Sequence, residues 1–297
     1  LWSSKDKGCI AMSYETITVD SMVGPVGAVI SGVDLSNPLT KQTVVEINAA
    51  WLKHHVVFFR DQDLTPTQQA NFAANFGELD VYPFMTAVDS NPNVIPIIKE
   101  ADATLNFGGA WHTDTSYIEK PPKATLLYAV EVPDNGGDTL FADATQAFYG
   151  LSDGLKTMLS HESGIYSPKI VHGKEGLYKQ AAARDEMAQD YGGAADFAEQ
   201  EVEHPLIRTH PDTGEKSIYC SLPHTHRIKG WTREESIPLF KYLTEACTQD
   251  KYVTRFKWRE GSVALWDNRC VFHNALNDYQ GMRRHMHRVI IKGERPQ

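Results

Sequence analysis

Residues 261–293 read GSVALWDNRCVFHNALNDYQGMRRHMHRVIIKG. Two runs within this stretch, Ser262 to Trp266 and about His287 to Lys292, carry the β-branched and aromatic residues of buried strands. Val253 to Trp258 is a similar run just upstream. With Glu260-Gly261 as the turn, it is expected to pair with Ser262 to Trp266 as a hairpin.

The same signals recur along the chain. Ile17 to Asp34 is strand-like, with Gly24, Gly27 and Gly32 at turn or close-approach positions, and Val56 to Phe59, Val94 to Lys99 and Ala124 to Val130 read as strands. Asn135-Gly136-Gly137-Asp138 is a turn, and Thr139-Leu140-Phe141 opens the next strand. His204 to His210 and Lys216 to Cys220 flank Pro211-Asp212-Thr213-Gly214 as a hairpin. Helices are expected from about Lys41 to His54, from the Thr65-Pro66-Thr67-Gln68 cap to about Phe76, from about Thr145 to Leu159, and from the Thr232 to Glu235 capping box to about Cys247. Many short strands with few helices predict an α+β fold, with helices packed around an antiparallel barrel or jelly roll. The long polar stretch Ser160 to Glu203 is expected to be the most mobile part and is a candidate lid.

Composition is that of an ordinary soluble globule: 297 residues, 41% hydrophobic and 23% charged. A formal charge of -9 argues against a nucleic-acid surface. No apolar run is long enough for a membrane span and the first residues lack a signal-peptide core, so a cytoplasmic protein is expected. Residues 13–297 read as one domain, and residues 1–12 as a tag or disordered extension, with Met12-Ser13 resembling a natural start. Cys9, Cys220, Cys247 and Cys270 show no CxxC spacing and are read as free thiols.

Trp111-His112-Thr113-Asp114 supplies an imidazole and a carboxylate two residues apart, which on an extended segment point to the same side. Alone, the pair also reads as a polar loop. With His273 from the opening stretch it becomes two histidines and one carboxylate, the usual face of a non-haem Fe(II) oxygenase with three positions left open.

Residues 261–293, together with WHTDTSY and GGDTLF, resemble the family of taurine dioxygenase and 2,4-dichlorophenoxyacetate dioxygenase (TauD/TfdA). The resemblance runs from Val19 to Arg295 and includes FFRDQDLTPTQQANFAANFGELD and HPLIRTHPDTGEK. It implies a double-stranded β-helix, or jelly roll, with flanking helices. By position it implies His112, Asp114 and His273 as Fe(II) ligands, Thr139 and Arg284 as partners of the far carboxylate of 2-oxoglutarate, and Arg288 at the substrate's anionic group, the near carboxylate of the cosubstrate, or both. Dioxygen is the second cosubstrate. The implied reaction is hydroxylation of a C–H bond in a small anionic substrate, with release of succinate and carbon dioxide, and a homo-oligomer, dimer or tetramer, is expected. An arginine fork suits a carboxylate bidentately and stays charged when buried, while a threonine adds one hydroxyl donor.

Departures from the pattern bear on the substrate. Tyr82 stands where taurine-specific members carry a histidine, Gly108 replaces an asparagine, and no matching serine occurs around Val171. Tyr82 suits a less polar body with one anionic end, so sulfonates, alkyl sulfates, aryloxyalkanoates and other carboxylates are all admitted, with taurine itself disfavoured. Lys169, His172 and Tyr178 in the expected lid are further contact candidates.

The remaining histidines are assigned to other work. His54 and His55 end a helix. His224-Thr225-His226 is a weak candidate for a second metal pair. His285 and His287 are read as facing opposite ways, at least one of them away from the metal. Asp267 and Asn268 are expected to orient His273. Two alternatives stand beside the oxygenase: a non-catalytic jelly-roll binding protein, and a Ser-His-Asp hydrolase, which lacks a G-x-S-x-G elbow here.

Overall fold

Phe58 and Phe59 are adjacent in the chain and belong to different cores. The computed structural model describes residues 13–82, 85–187 and 197–297; the expected extension at residues 1–12 and part of the expected lid, residues 188–196, lie outside these. The strands are β1 (Thr18–Ser21), β2 (Ala28–Ser31), β3 (Val56–Phe59), β4 (Leu79–Asp80), β5 (Ile95–Lys99), β6 (Ala124–Glu131), β7 (Thr139–Asp143), β8 (Ser163–Tyr166), β9 (Val202–Pro205), β10 (Ile207–Thr209), β11 (Lys216–Ile218), β12 (Thr225–Ile228), β13 (Val253–Phe256), β14 (Val263–Asp267), β15 (Val271–Ala275) and β16 (Arg284–Ile291). The helices are α1 (Lys41–His54), α2 (Pro66–Ala74), α3 (Ala144–Tyr149), α4 (Asp153–Leu159), α5 (Lys169–His172), α6 (Leu177–Ala183) and α7 (Arg233–Cys247).

A large sheet runs β1-β2-β3-β14-β6-β16-β4, with β5 also on β16, and a smaller sheet runs β13-β7-β15. Side chains alternate across the large sheet, as the period of a strand requires. Val56, Phe58, Ala264, Trp266 and Met286 face the small sheet, where Phe58 stacks on Phe256 at 3.9 Å between centroids. Val57, Phe59, Leu265, Val289 and Ile291 face the other way, onto Ile47, Ala50 and Trp51 of α1 and Phe72 of α2. Burial on both faces explains why β3 reads as a continuous apolar run rather than an alternating one. Truncating Phe58 to Ala would cost about 3–5 kcal/mol at such a site. The two-sheet arrangement with flanking helices is the double-stranded β-helix that the sequence implied.

Local chemistry sets the helix ends. Thr65 accepts from the Gln68 backbone while the Gln68 side chain reaches back, closing a capping box with Pro66 at the first turn, and Thr232 with Glu235 repeats the device at α7. At the end of α1, His55 takes a left-handed conformation with φ 62° and donates its N–H to Trp51 O at 2.7 Å.

Three expectations need correction. Val253 to Trp258 and Ser262 to Trp266 do not form a hairpin: β13 pairs with β7 of the small sheet, and β14 with β3 and β6 of the large one. The turn at Gly261 (φ 74°), where a Cβ would come within 2.7 Å of Gln62 O, carries the chain across from one sheet to the other. The helix expected from Thr145 to Leu159 is two helices, because Ser152 caps a fresh start by accepting from Leu155 N. The stretch Ser160 to Glu203 is not one long loop: its described part contains β8, α5 and α6. No helix among the described residues is long and apolar enough to cross a membrane.

Candidate metal and cosubstrate site

His112 lies in the segment between β5 and β6 and is tied to β15 by a two-way backbone bridge: His112 N donates to His273 O at 3.1 Å, and His273 N to His112 O at 2.8 Å. The bridge brings residues 161 positions apart face to face, with ring centroids 4.2 Å apart. Asp114 Oδ1 is 3.7 Å from Nε2 of each histidine, and the potential ligand atoms of His112, Asp114 and His273 all lie within 4.8 Å of one another. His112 Nδ1 lies 2.6 Å from the Ala110 carbonyl, which can only accept, so Nδ1 carries the proton and Nε2 keeps its lone pair for a metal. Burial, with His112 adding to it, pushes His273 down to about 3, so this imidazole is neutral as a ligand must be. Burial opposes the charge on Asp114, but the Arg288 guanidinium outweighs it and holds the carboxyl well below the usual carboxylate range.

The outer contacts differ from expectation. Asp267 binds Arg269 and His210 rather than His273, Asn268 lies against Asp114, and His273 Nδ1 is buried without a hydrogen-bond partner. A second cluster, His210, Asp267 and Cys270, also has metal-like spacing. His210 Nδ1 accepts from the backbone N–H of Asp212 and Thr213, so Nε2 carries the proton it gives to Asp267 at 3.0 Å and no lone pair remains for a cation.

A cavity of about 50 Å³ adjoins the three residues and is lined by Thr139, Arg284, Arg288, Leu127 and Trp266. Trp258 Nε1 donates to Thr139 Oγ1 at 2.9 Å; an indole can only donate, so the threonine's own proton is left for another acceptor. Arg284 is 5% exposed, and its Nε and Nη2 have no hydrogen-bond partner. A buried guanidinium with two unmet donors beside a hydroxyl donor fits a carboxylate, and the neutral imidazoles with Asp114 fit a divalent cation. Arg284, Met286 and Arg288 share the inner face of β16, whereas His285 and His287 share the other, with their rings 4.9 Å apart. The expectation that these two histidines face opposite ways is wrong, since residues two apart on a strand face alike.

Above the metal-like group opens a cavity of about 380 Å³, walled by Tyr82, Phe107, Tyr117, Val171, Tyr178 and Leu222, with Arg288 and Asp114 also in its lining. Arg288 Cζ lies over the Tyr82 ring at 5.0 Å from the centroid. The Tyr82 hydroxyl is 3.4 Å from that of Tyr117 and 3.3 Å from His172 Nε2. Gly108, in a left-handed conformation at φ 78°, lines both cavities where an asparagine was expected in taurine enzymes. Of the expected lid contacts, His172 and Tyr178 line the cavity, while Lys169 pairs with Glu201 at 3.3 Å. His224 and His226 do not act as a pair: His224 meets His112 edge to face at 5.5 Å in this cavity, and His226 Nδ1 meets Arg233 at 2.9 Å. Phe107 and Tyr117 line this cavity although sequence reading did not place them there, since nothing in local periodicity distinguishes them from core residues, and His224 lines it although it was read only as half of a metal pair.

The family described as "Taurine catabolism dioxygenase TauD, TfdA family" matches residues 18–290. An alkylsulfatase of Acinetobacter baylyi is 32% identical over 282 residues, covering 94% of this chain and 86% of the relative. An (S)-phenoxypropionate/alpha-ketoglutarate-dioxygenase of Sphingobium herbicidovorans is 31% identical, covering 90% and 92%. Among solved structures, a taurine dioxygenase from Burkholderia xenovorans superposes with a TM-score of 0.78 at 34% identity, over 95% of this chain and 91% of that one.

Proposed function

The chain belongs to the TauD/TfdA family of Fe(II)- and 2-oxoglutarate-dependent dioxygenases, and on that premise we propose that it hydroxylates a small organic anion with an apolar body: an alkyl sulfate, an apolar sulfonate or an aryloxyalkanoate. His112, Asp114 and His273 hold the iron, Thr139 and Arg284 hold the far carboxylate of 2-oxoglutarate, and Arg288 with Tyr82 receives the substrate's anionic end. When bound, iron with 2-oxoglutarate and dioxygen supplies the oxidising chemistry, in which decarboxylation to succinate is coupled to insertion of oxygen into a C–H bond.

The chain's own residues supply placement. Arg284 presents its fork with the charge already buried, so little reorganisation is needed when a carboxylate arrives. Thr139 donates the one proton that Trp258 leaves it. The aromatic wall of the larger cavity excludes water from the oxidising centre.

One observation carries the choice of substrate. Among the described residues lining the larger cavity, Arg288 is the only lysine or arginine; much of the remaining wall is aromatic or aliphatic, with Asp114, Thr115, three histidines and two asparagines completing it. One fixed cation beside apolar walls selects one anionic group on an apolar frame. Two relatives of this chain are named for an alkyl sulfate and a phenoxypropionate activity, which agrees with that selection.

An anaerobic Fe(II)/2-oxoglutarate titration followed by a panel of anions, scored by succinate release, tests the reading. Succinate formation greatest with apolar anions is expected. Greatest release with taurine would identify a taurine dioxygenase proper. Failure to bind iron, with no succinate from any anion, would identify a non-catalytic binding protein.

A further inference from the structure

Thr125 lies on β6, opposite Trp266 of β14 in the sheet register, and is fully buried. Its hydroxyl oxygen is 2.6 Å from Asp114 Oδ2 and 3.0 Å from Asn268 Nδ2. Asn268 Oδ1 in turn is 2.8 Å from Trp266 Nε1.

The direction of every proton in this chain follows from one fact. An indole N–H can only donate, so the Asn268 atom facing Trp266 is the carbonyl oxygen. The other end of that amide is therefore its NH₂, and it donates to Thr125 Oγ1. Thr125, with its oxygen accepting there, has a single proton, and that proton goes to Asp114 Oδ2. The Asp114 backbone N–H also donates to Asn268 Oδ1 at 3.4 Å, and the Thr113 hydroxyl donates to Asn268 O at 2.6 Å, so the same asparagine grips the segment that carries the carboxylate.

We propose that Thr125 is a positioning residue that keeps Asp114 a one-oxygen ligand: the Trp266-Asn268-Thr125 relay occupies Oδ2, so that Oδ1, the oxygen 3.7 Å from both histidine Nε2 atoms and 2.9 Å from Arg288 Nη2, is the one turned to the cation. The proposal rests on the reading of His112, Asp114 and His273 as the metal-binding group. Its consequence is a count of open positions. A carboxylate that bound through both oxygens would take one position more than a single oxygen does, at the expense of those left for cosubstrate and oxygen. Hydrogen bonds of this outer kind are worth about 10- to 100-fold in metal affinity.

The experiment compares wild type, Thr125→Val and Thr125→Ser by titrating metal-free protein with Co(II) alone and recording the visible absorption of the bound ion. Valine keeps the shape of the strand position and removes the donor; serine keeps the donor. The expected result is an affinity about 10- to 100-fold weaker in Thr125→Val, with a changed Co(II) absorption band, and near wild-type affinity and spectrum in Thr125→Ser. Thermal melting of the metal-free variants identifies a valine variant that does not fold, in which case Thr125→Ala takes its place with the same expectation. Wild-type affinity and spectrum in the variant lacking the donor would overturn the role of Thr125 and leave the metal reading intact. Absence of Co(II) binding in wild type would overturn both.

Discussion

Arg288 Nη2 lies 2.9 Å from Asp114 Oδ1, the carboxylate oxygen that also faces Nε2 of His112 and His273. Both side chains are nearly sealed from solvent, at 4% and 5% exposure. In the absence of a divalent cation the guanidinium is therefore the principal counter-charge of Asp114, and two jobs, balancing the carboxylate and receiving an anion, fall to one arginine.

A first prediction follows for stability. Arg288→Met leaves a buried carboxylate without its partner and should destabilise the metal-free protein by about 3–5 kcal/mol. Divalent metal supplies the missing charge, so the rise in melting temperature on adding Co(II) should be larger in the variant than in wild type. Equal metal-induced shifts in the two proteins would show that Arg288 does not balance Asp114.

Asp114→Ala removes the only anionic member of the His-Asp-His group. The variant is expected to fold, to bind Fe(II) weakly and to show negligible substrate-dependent succinate formation. Circular dichroism, metal titration and succinate assay together check this, and undiminished succinate would reject the metal assignment.

Arg284 has two unmet donors in the smaller cavity. Losing a charge-assisted contact to a buried carboxylate costs about 2–5 kcal/mol. Arg284→Ala should accordingly raise the 2-oxoglutarate requirement by well over tenfold while Fe(II) affinity changes little. An unchanged cosubstrate titration curve would show that the fork faces no carboxylate.

Acid stability should reflect buried neutral histidines. Burial pushes His204 down to about 4, and its Nε2 donates to Ile118 O at 2.8 Å while Nδ1 is buried without a partner. Burial likewise pushes His287 down to about 4. With the unfolded value near 6.5, the unfolded chain binds more protons between about pH 6.5 and 4. Stability is thus full above about 6.5 and falls with decreasing pH across that window, by at most about 1.4 kcal/mol per pH unit for each histidine. His204→Gln keeps the donor to Ile118 without titrating, so denaturant unfolding as a function of pH should show a shallower slope in that variant.

Local signals carried the elements, and long-range contacts did not announce themselves. The bounds of α1, Lys41–His54, and the caps at Thr65 and Thr232 are written in a few neighbouring residues, and the structure has them there. His112, Asp114 and His273 were legible because the motif spacing is short on one side and the family resemblance spans the other. Thr125 and Asn268 are 143 residues apart, and no periodicity says that a threonine in an apolar strand will give its proton to an aspartate. The same holds for the assignment of β13 and β14 to opposite sheets: each run has strand chemistry, but partner choice is decided by burial on the second face. His224 was noticed in sequence, but as half of a metal pair, because its contact with His112 depends on a fold that brings residues 112 positions apart together.

The last prediction concerns selectivity. Taurine carries a sulfonate and an ammonium. Its sulfonate suits Arg288, but the ammonium needs an acceptor of its own once it leaves water. Among the described residues lining the larger cavity, Asp114 is the only carboxylate, and its two oxygens already meet Arg288 and Thr125. Tyr82, where the resemblance to taurine enzymes implied a histidine, has its hydroxyl between Tyr117 and His172. An ammonium that finds no free carboxylate beside a guanidinium is unfavourable, whereas an alkyl or aryl body gains from the walls of Phe107, Tyr178 and Leu222. A difference of about 1.4 kcal/mol is tenfold, so kcat/KM for an apolar sulfonate, alkyl sulfate or aryloxyalkanoate should exceed that for taurine by about tenfold or more. Arg288→Ala should erase the preference for a charged end. The measurement is succinate release for taurine and for an apolar sulfonate of similar length, and a higher rate with taurine would overturn the role given to Tyr82.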